Sequence, residues 1–145
     1  MRIRLALLAV MLPAALAACS GSGGSAVVGV RGTGTEVTHQ LTEHDDGSTV
    51  DARVGDSVTV TLHSTYWQFR PPAGGVLQQK REPVPSPGGS ACPTVPGSGC
   101  GTVVADYVVS ASGTVTLTAH RESCGEAMRC AGSNGAWSVT VRATR

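Results

Sequence analysis

The stretch Val54–Phe69, VGDSVTVTLHSTYWQF, constrains this chain more than any other. A Gly-Asp turn leads into Ser57–His63. There Val58, Val60 and Leu62 face one way and Thr59, Thr61 and His63 the other, the period-two pattern of a half-buried strand. β-Branched residues fill most of these positions, which suits a pleated surface. Tyr66, Trp67 and Phe69 follow at once. The whole chain has two Trp, two Tyr and one Phe, so large core anchors are scarce. The fold is therefore expected to pack around the segment that holds most of them. Alternation places Trp67 and Phe69 in the core and Tyr66 and Gln68 on the other face. The competing reading makes Tyr66, Trp67, Phe69 and Arg70 an exposed anchor, since Trp, Tyr and Arg dominate binding hot spots.

The same period recurs along the chain. Glu36–Thr42 reads as a first strand. Asp45-Asp46-Gly47-Ser48 is a hairpin signal, because both central residues of a type I′ turn need positive φ. Ser48–Val54 is then the return strand. Val76–Lys80 forms a short strand. Pro83, Pro85 and Pro87 make Glu82–Pro96 a long irregular connection. Gly101–Ala111 places Val103, Ala105, Tyr107 and Val109 on one face. Thr114–Ala119 turns Val115, Leu117 and Ala119 inward after Ser112-Gly113. His120–Gly135 is a long loop. Trp137–Ala143 closes the chain with Trp137, Val139, Val141 and Ala143 inward. No segment carries a helical period, and there is no internal repeat. About seven short strands separated by turns indicate an all-β sandwich.

The chain has 145 residues, of which the first stretch reads as targeting sequence. Arg2 and Arg4 precede an apolar run, Leu5–Ala18, too short to span a bilayer and suited to the core of a secretory signal. It ends in Leu16-Ala17-Ala18-Cys19, which resembles a bacterial lipobox. That resemblance implies cleavage before Cys19 and lipidation of its thiol, so residues 1–18 form a signal peptide. The alternative is plain secretion after Ala-x-Ala cleavage. The run Ser20–Ser25 favours the lipid anchor, since a flexible Ser/Gly tether is what an anchored domain needs. Residues 19–35 are thus the lipidated cysteine and its tether, which spans about 20 Å as a random coil. The expected location is extracytoplasmic, held at the cell membrane by lipid on Cys19. Losing Arg2 and Arg4 from 11 basic residues leaves nine against 10 acidic ones. A mature chain this close to neutral has no basic patch for nucleic acid.

Cys92, Cys100, Cys124 and Cys130 remain, an even number in an exported chain, which reads as two disulfides. Three pairings exist. The local one, Cys92–Cys100 with Cys124–Cys130, is favoured because each pair brackets a short loop. Closing about nine residues between Cys92 and Cys100 stabilises by roughly 2–3 kcal/mol in the loop-entropy model. Neither pair has the spacing of a zinc knuckle.

Val37–Leu62 resembles the opening of the chagasin-type cysteine-protease inhibitors: a strand and a Gly hairpin, then a Val-Gly-Asp turn and a strand ending at the first inhibitory loop. Gly97-Ser98-Gly99-Cys100-Gly101-Thr102 stands where that family has its Gly-rich second loop. Asp106–Ala119 is similar to the strand–Ser-Gly–strand hairpin that follows it, and Arg121 stands where the third loop begins. The resemblance spans roughly Glu36–Arg142. It implies an immunoglobulin-like β-sandwich over residues 36–145, with three loops clustered at one end. By that resemblance Ser64, Thr65, Tyr66, Gly97, Gly99 and Arg121 are the partner-binding loop residues. Their letters depart from the family. The first loop lacks Asn-Pro-Thr-Thr-Gly, and the third reads Arg121-Glu122-Ser123 in place of Arg-Pro-Trp.

Other chemistry is weakly represented. His39, His44, His63 and His120 read as surface histidines. Cys124, Met128 and Cys130 share a loop, but no histidine follows to complete a copper site. No Gly-x-Ser-x-Gly precedes a helix, and the one carboxylate pair, Asp45-Asp46, belongs to a turn. The expectation is a non-enzyme without metal or cofactor. It is a membrane-anchored protein-binding module, with a cysteine protease or another envelope protein as partner. The alternative is an envelope structural or accessory lipoprotein with no inhibitory activity.

Overall fold

The computed structural model describes residues 35–89, 92–93, 95, 97–125 and 128–145. The expected signal peptide, the expected lipidation site Cys19 and the expected tether before residue 35 lie outside the described residues. Nine strands occur among the described residues. They are β1 (Thr38–Leu41), β2 (Thr49–Arg53), β3 (Ser57–His63), β4 (Gln68–Phe69), β5 (Leu77–Gln79), β6 (Val84–Pro87), β7 (Gly101–Val109), β8 (Gly113–His120) and β9 (Ala136–Thr144). One sheet runs β1-β3-β7-β5, with β6 also on β7; the other runs β2-β9-β8-β4. The two form the expected all-β sandwich.

The faces follow the alternation. Val58, Val60 and Leu62 of β3 meet Val103, Ala105, Tyr107 and Val109 of β7. Opposite them lie Val115, Leu117 and Ala119 of β8 with Trp137, Val139, Val141 and Ala143 of β9. Trp67 is buried in this core, and Phe69 packs against it. Tyr107 is fully buried, and its hydroxyl has no hydrogen-bond partner among the described residues. Burial pushes its pKa up to about 12. Removing an orphaned buried hydroxyl relieves a desolvation cost. Tyr107→Phe is therefore expected to be neutral or stabilising by up to about 1 kcal/mol in urea denaturation; a loss above that would reveal a hidden partner.

The expected Asp-Gly hairpin is not formed. β1 pairs in parallel with β3, while β2 pairs in parallel with β9 in the other sheet. A capping box at Thr42 and Asp45 starts a short 3-10 turn, Glu43–Asp45, which carries the chain across the sandwich. Gly47 does take a positive φ of 73°. Its N–H bonds Ser138 O at 2.8 Å, however, and Asp46 Oδ1 accepts from Ser138 N at 2.8 Å. The Asp-Gly pair thus fastens to β9 and not across a hairpin. The hairpin expected across Ser112-Gly113 is absent too: β7 pairs with β3 in one sheet and β8 with β9 in the other, so that turn also crosses the sandwich.

Two short strands add to the expected seven. β4 continues from Trp67. β6 lies inside the connection read as irregular, in spite of its prolines. Gly88 N donates to Cys100 O on the β7 side, so the even-numbered positions face β7. The odd-numbered positions are Pro83, Pro85 and Pro87. Their missing N–H groups fall on the outer edge, which leaves that edge without donors for another strand.

Parallel pairing of β1 with β3 and of β2 with β9 sets two poles. Residue 35, the Arg53–Asp56 turn and Thr144 lie at one, the base. The β3–β4, β6–β7 and β8–β9 connections lie at the other, the loop pole. At the base Asp56 is buried. Arg53 N donates to it at 2.8 Å, Val37 N at 3.1 Å, and the His39 ring lies at 3.3 Å. The Arg53 N–H above all holds the Asp56 pKa below its ordinary 3.8, with the Val37 N–H and His39 adding to it against the opposing effect of burial. A depressed folded-state pKa contributes stability that is complete above 3.8 and is lost as pH falls through the folded value. Asp56→Asn keeps one acceptor and loses the other, at a cost of about 1–3 kcal/mol near neutral pH. The variant should also lose this part of the acid dependence. An unchanged stability–pH profile between about pH 2 and 5, followed by circular dichroism, would contradict this role.

Candidate binding surface at the loop pole

Three connections meet at the loop pole: the first and second are hydrogen-bonded to each other, and the third reaches the first through Arg121 over Trp67. The first runs from His63 to Gln68. Ser64 N donates to Gly101 O at 2.8 Å and Thr65 N to Gly99 O at 2.8 Å, so the first loop is laced to the second by main chain. Ser64 adopts φ 130°, a conformation side chains seldom take, and is held there by these bonds. Tyr66 projects across: its hydroxyl donates to Gly97 O at 2.6 Å, and its ring lies where a Gly99 side chain would stand. Gly97 and Gly99 both have positive φ, 81° and 65°. Close approach of the Tyr66 ring and left-handed backbone together demand glycine at 99.

The second loop is closed by Cys92–Cys100, with Cα atoms 5.6 Å apart, and the third by Cys124–Cys130, at 5.0 Å. The local pairing is thus the one present. Within the third loop Cys124 N bonds Met128 O at 2.9 Å and Cys130 N bonds Glu122 O at 2.9 Å, a small hairpin across the disulfide. Arg121, where that loop begins, stands at the centre of the pole. Its backbone N–H bonds Gly135 O and its Nε bonds Asn134 O at 3.2 Å. Its guanidinium lies over the Trp67 ring, 4.6 Å from the centroid. Trp67 in turn donates from Nε1 to His63 O at 3.3 Å. One face of the indole is core and the other is a platform for a cation.

Glu43 also reaches this pole from the β1–β2 connection, where its carboxylate accepts from His63 N and meets His63 Nδ1 at 3.0 Å. Burial alone would raise the Glu43 pKa, but the hydrogen bonds from His63 outweigh it and hold the carboxyl below its ordinary value. Two depressions flank Arg121. One, of about 430 Å³, lies between the loops, with Ser64, Ser98, Gly99 and Cys124 in its walls. The other, of about 190 Å³, lies toward Glu43, Asp46, Asn134 and Trp137.

All six residues assigned to binding loops, Ser64, Thr65, Tyr66, Gly97, Gly99 and Arg121, are thus at one pole. Their roles differ. Tyr66 is half-buried and serves as a strut between loops, while Ser64 and Arg121 line the larger depression. The pairing of Glu43 with His63, 20 residues apart, escapes sequence reading. No local pattern signals it, because the chain crosses between sheets before the two meet. Trp67 is core as expected, but its cationic partner comes from a loop more than fifty residues on. The histidines do not converge: His39 lies at the base and His63 at the loop pole. Among the described residues no three His, Cys, Asp or Glu side chains are grouped as metal ligands.

No family model and no curated protein matches the chain. Solved structures do. Among them, the cysteine protease inhibitor EhICP2 from Entamoeba histolytica is similar over 76% of this chain and 98% of its own, at 13% identity and a TM-score of 0.52. Amebosin is similar over 74% of this chain and 98% of its own, at 14% identity and a TM-score of 0.51. At such low identity the likeness is one of fold, and it extends over nearly the full length of both neighbours. The chain therefore shares its β-sandwich fold with a cysteine protease inhibitor, the architecture that the chagasin-type resemblance implies.

Proposed function

We propose that this chain is a protein-binding module of the envelope, lipid-anchored through Cys19, that docks its partner with the loop pole. Inhibition of a cysteine protease of the papain type, with diverged loops, is the form of binding that the fold favours. The observation that carries this reading is the joining of three loops at one pole: main-chain bonds and the Tyr66 strut lace the first to the second, Arg121 of the third sits on Trp67 of the first, and a disulfide closes the second and the third. A pre-ordered surface loses little entropy on binding. The polarity of the domain fits an anchored protein. Residue 35 lies at the base, and the nine residues of β9 stretch about 30 Å from there to the loops. A flexible tether joined at the base attaches away from the loops and does not fix their orientation.

Titration of the soluble chain from Ser20 onward against papain-like enzymes tests the inhibitor reading. Inhibition at or below about 1 µM is expected, and none at that concentration removes it. Anchoring is tested by Cys19→Ala, which should move the protein from the membrane to the soluble fraction; continued retention after a carbonate wash would refute lipidation.

A second reading, an accessory envelope domain without inhibitory activity, is favoured by one observation. The first loop carries no Asn-Pro-Thr-Thr-Gly, and its Tyr66 is engaged within the domain. Pull-down from envelope extract separates the two: a partner lost on Arg121→Ala counts for a binding module.

A further inference from the structure

Resting on the protein-binding reading, we propose that Arg121 is a carboxylate receptor, so that the loop pole docks by taking an acidic side chain of its partner into the cleft between Arg121, Ser64 and Ser98. Three observations converge. The guanidinium is held over Trp67, 4.6 Å from the ring centroid, and its Nε is engaged by Asn134 O. The guanidinium is thereby held in place before a partner arrives, the condition under which arginine outperforms lysine for a planar anion. No carboxylate of the described residues lies within ion-pair distance of it: the ion pairs are His39–Asp56, His63–Glu43 and Arg81–Asp106.

The two depressions beside Arg121 differ in charge. The smaller holds Glu43 and Asp46, which repel an anion. The larger has no carboxylate in its described walls, which include His63, Ser64 and Ser98. Ser64 Oγ accepts from Tyr66 N at 3.3 Å and Ser98 Oγ from Cys100 N at 3.4 Å. A hydroxyl that accepts from main chain keeps its own hydrogen to donate. Arg121, Ser64 and Ser98, with His63 beside them, thus line a space of about 430 Å³, room for a carboxylate side chain and the backbone that carries it. Glu43 plays the opposite part. Engaged by His63, it lines the smaller depression.

The test uses the full chain in detergent micelles and the blocked tripeptide acetyl-Gly-Glu-Gly-amide. Binding is read from the side-chain N–H resonances of Arg121 Nε and Trp67 Nε1. Saturable shifts of both are expected. The Gln counterpart should bind about tenfold or more weakly, because the contact is charge-assisted. Arg121→Lys keeps the cation but not the fork, and it should lose a similar factor while the Trp67 resonance stays dispersed. Equal shifts with the Glu and Gln peptides, or shifts that survive Arg121→Gln, overturn the proposal. Tighter binding of acetyl-Gly-Gly-Gly with a free C-terminus also overturns it, in favour of a chain terminus. The outcome is separable from the inhibitor reading. A Glu-specific response without papain inhibition keeps the receptor and removes the inhibitor; papain inhibition indifferent to Arg121→Lys does the reverse.

Discussion

Trp137→Ala is expected to destabilise the domain by about 3–5 kcal/mol, among the largest losses that truncating one core side chain produces. Trp137 is 2% exposed and sits where the two layers meet the β1–β2 crossing. Its ring edge packs on Phe69 at 6.3 Å between centroids and 72° between planes. Its Nε1 donates to Thr42 O at 2.9 Å, on the residue that caps the crossing turn. Truncation therefore leaves a cavity, strips Phe69 of its partner and removes one of the two donors to the Thr42 carbonyl, which keeps the Asp45 N–H at 3.1 Å. For a domain of this size such a loss lowers the melting temperature by roughly 15 °C or more. Against a total of about 5–15 kcal/mol, the variant stands near the threshold of folding. Urea denaturation of the soluble protein measures it. A loss below about 1 kcal/mol would mean that Trp137 does not bridge the layers.

Gly99→Val tests the loop pole as Trp137→Ala tests the core. At φ +65° a β-branched residue is strained, and its Cβ would collide with Cδ2 and Cε2 of Tyr66. Strain and overpacking each cost about 1–3 kcal/mol. The Tyr66 hydroxyl would leave Gly97, and the lacing of the first loop to the second would open. Partner binding should fall with it. The collision makes a further claim: Tyr66→Ala removes the ring and should recover part of the loss in a double-mutant cycle. Additive effects of the two changes would show that the ring does not lie on Gly99.

The legible part of the fold was the part set by period. Alternation in β3, β7, β8 and β9 assigned every inward residue, because a strand with one buried face has one register compatible with its apolar set. Strand partners were not legible. Asp46-Gly47 supplied a residue able to take positive φ, and Gly47 does take it. Whether the strands on either side of a turn pair with each other depends on β9, some ninety residues later. The β6 strand was hidden for a related reason. Prolines exclude a central strand but not an edge, and only pairing with β7 reveals which side of the edge they occupy.

At the candidate site the division is similar. Residue types and spacing brought forward Ser64, Thr65, Tyr66, Gly97, Gly99, Arg121 and the local cysteine pairs. The signal peptide, Cys19 and the Ser/Gly tether rest on sequence alone, since they are local signals read along an extended chain. Tertiary structure decided what each loop residue does. It turned Tyr66 from a candidate anchor into a strut, set Arg121 on Trp67, and brought Glu43 to His63. These are contacts between segments that loop closure alone brings together, and no local propensity encodes them. Short-range energetics wrote the strands and turns into the sequence, while the relative placement of the two sheets selected which side chains face a partner.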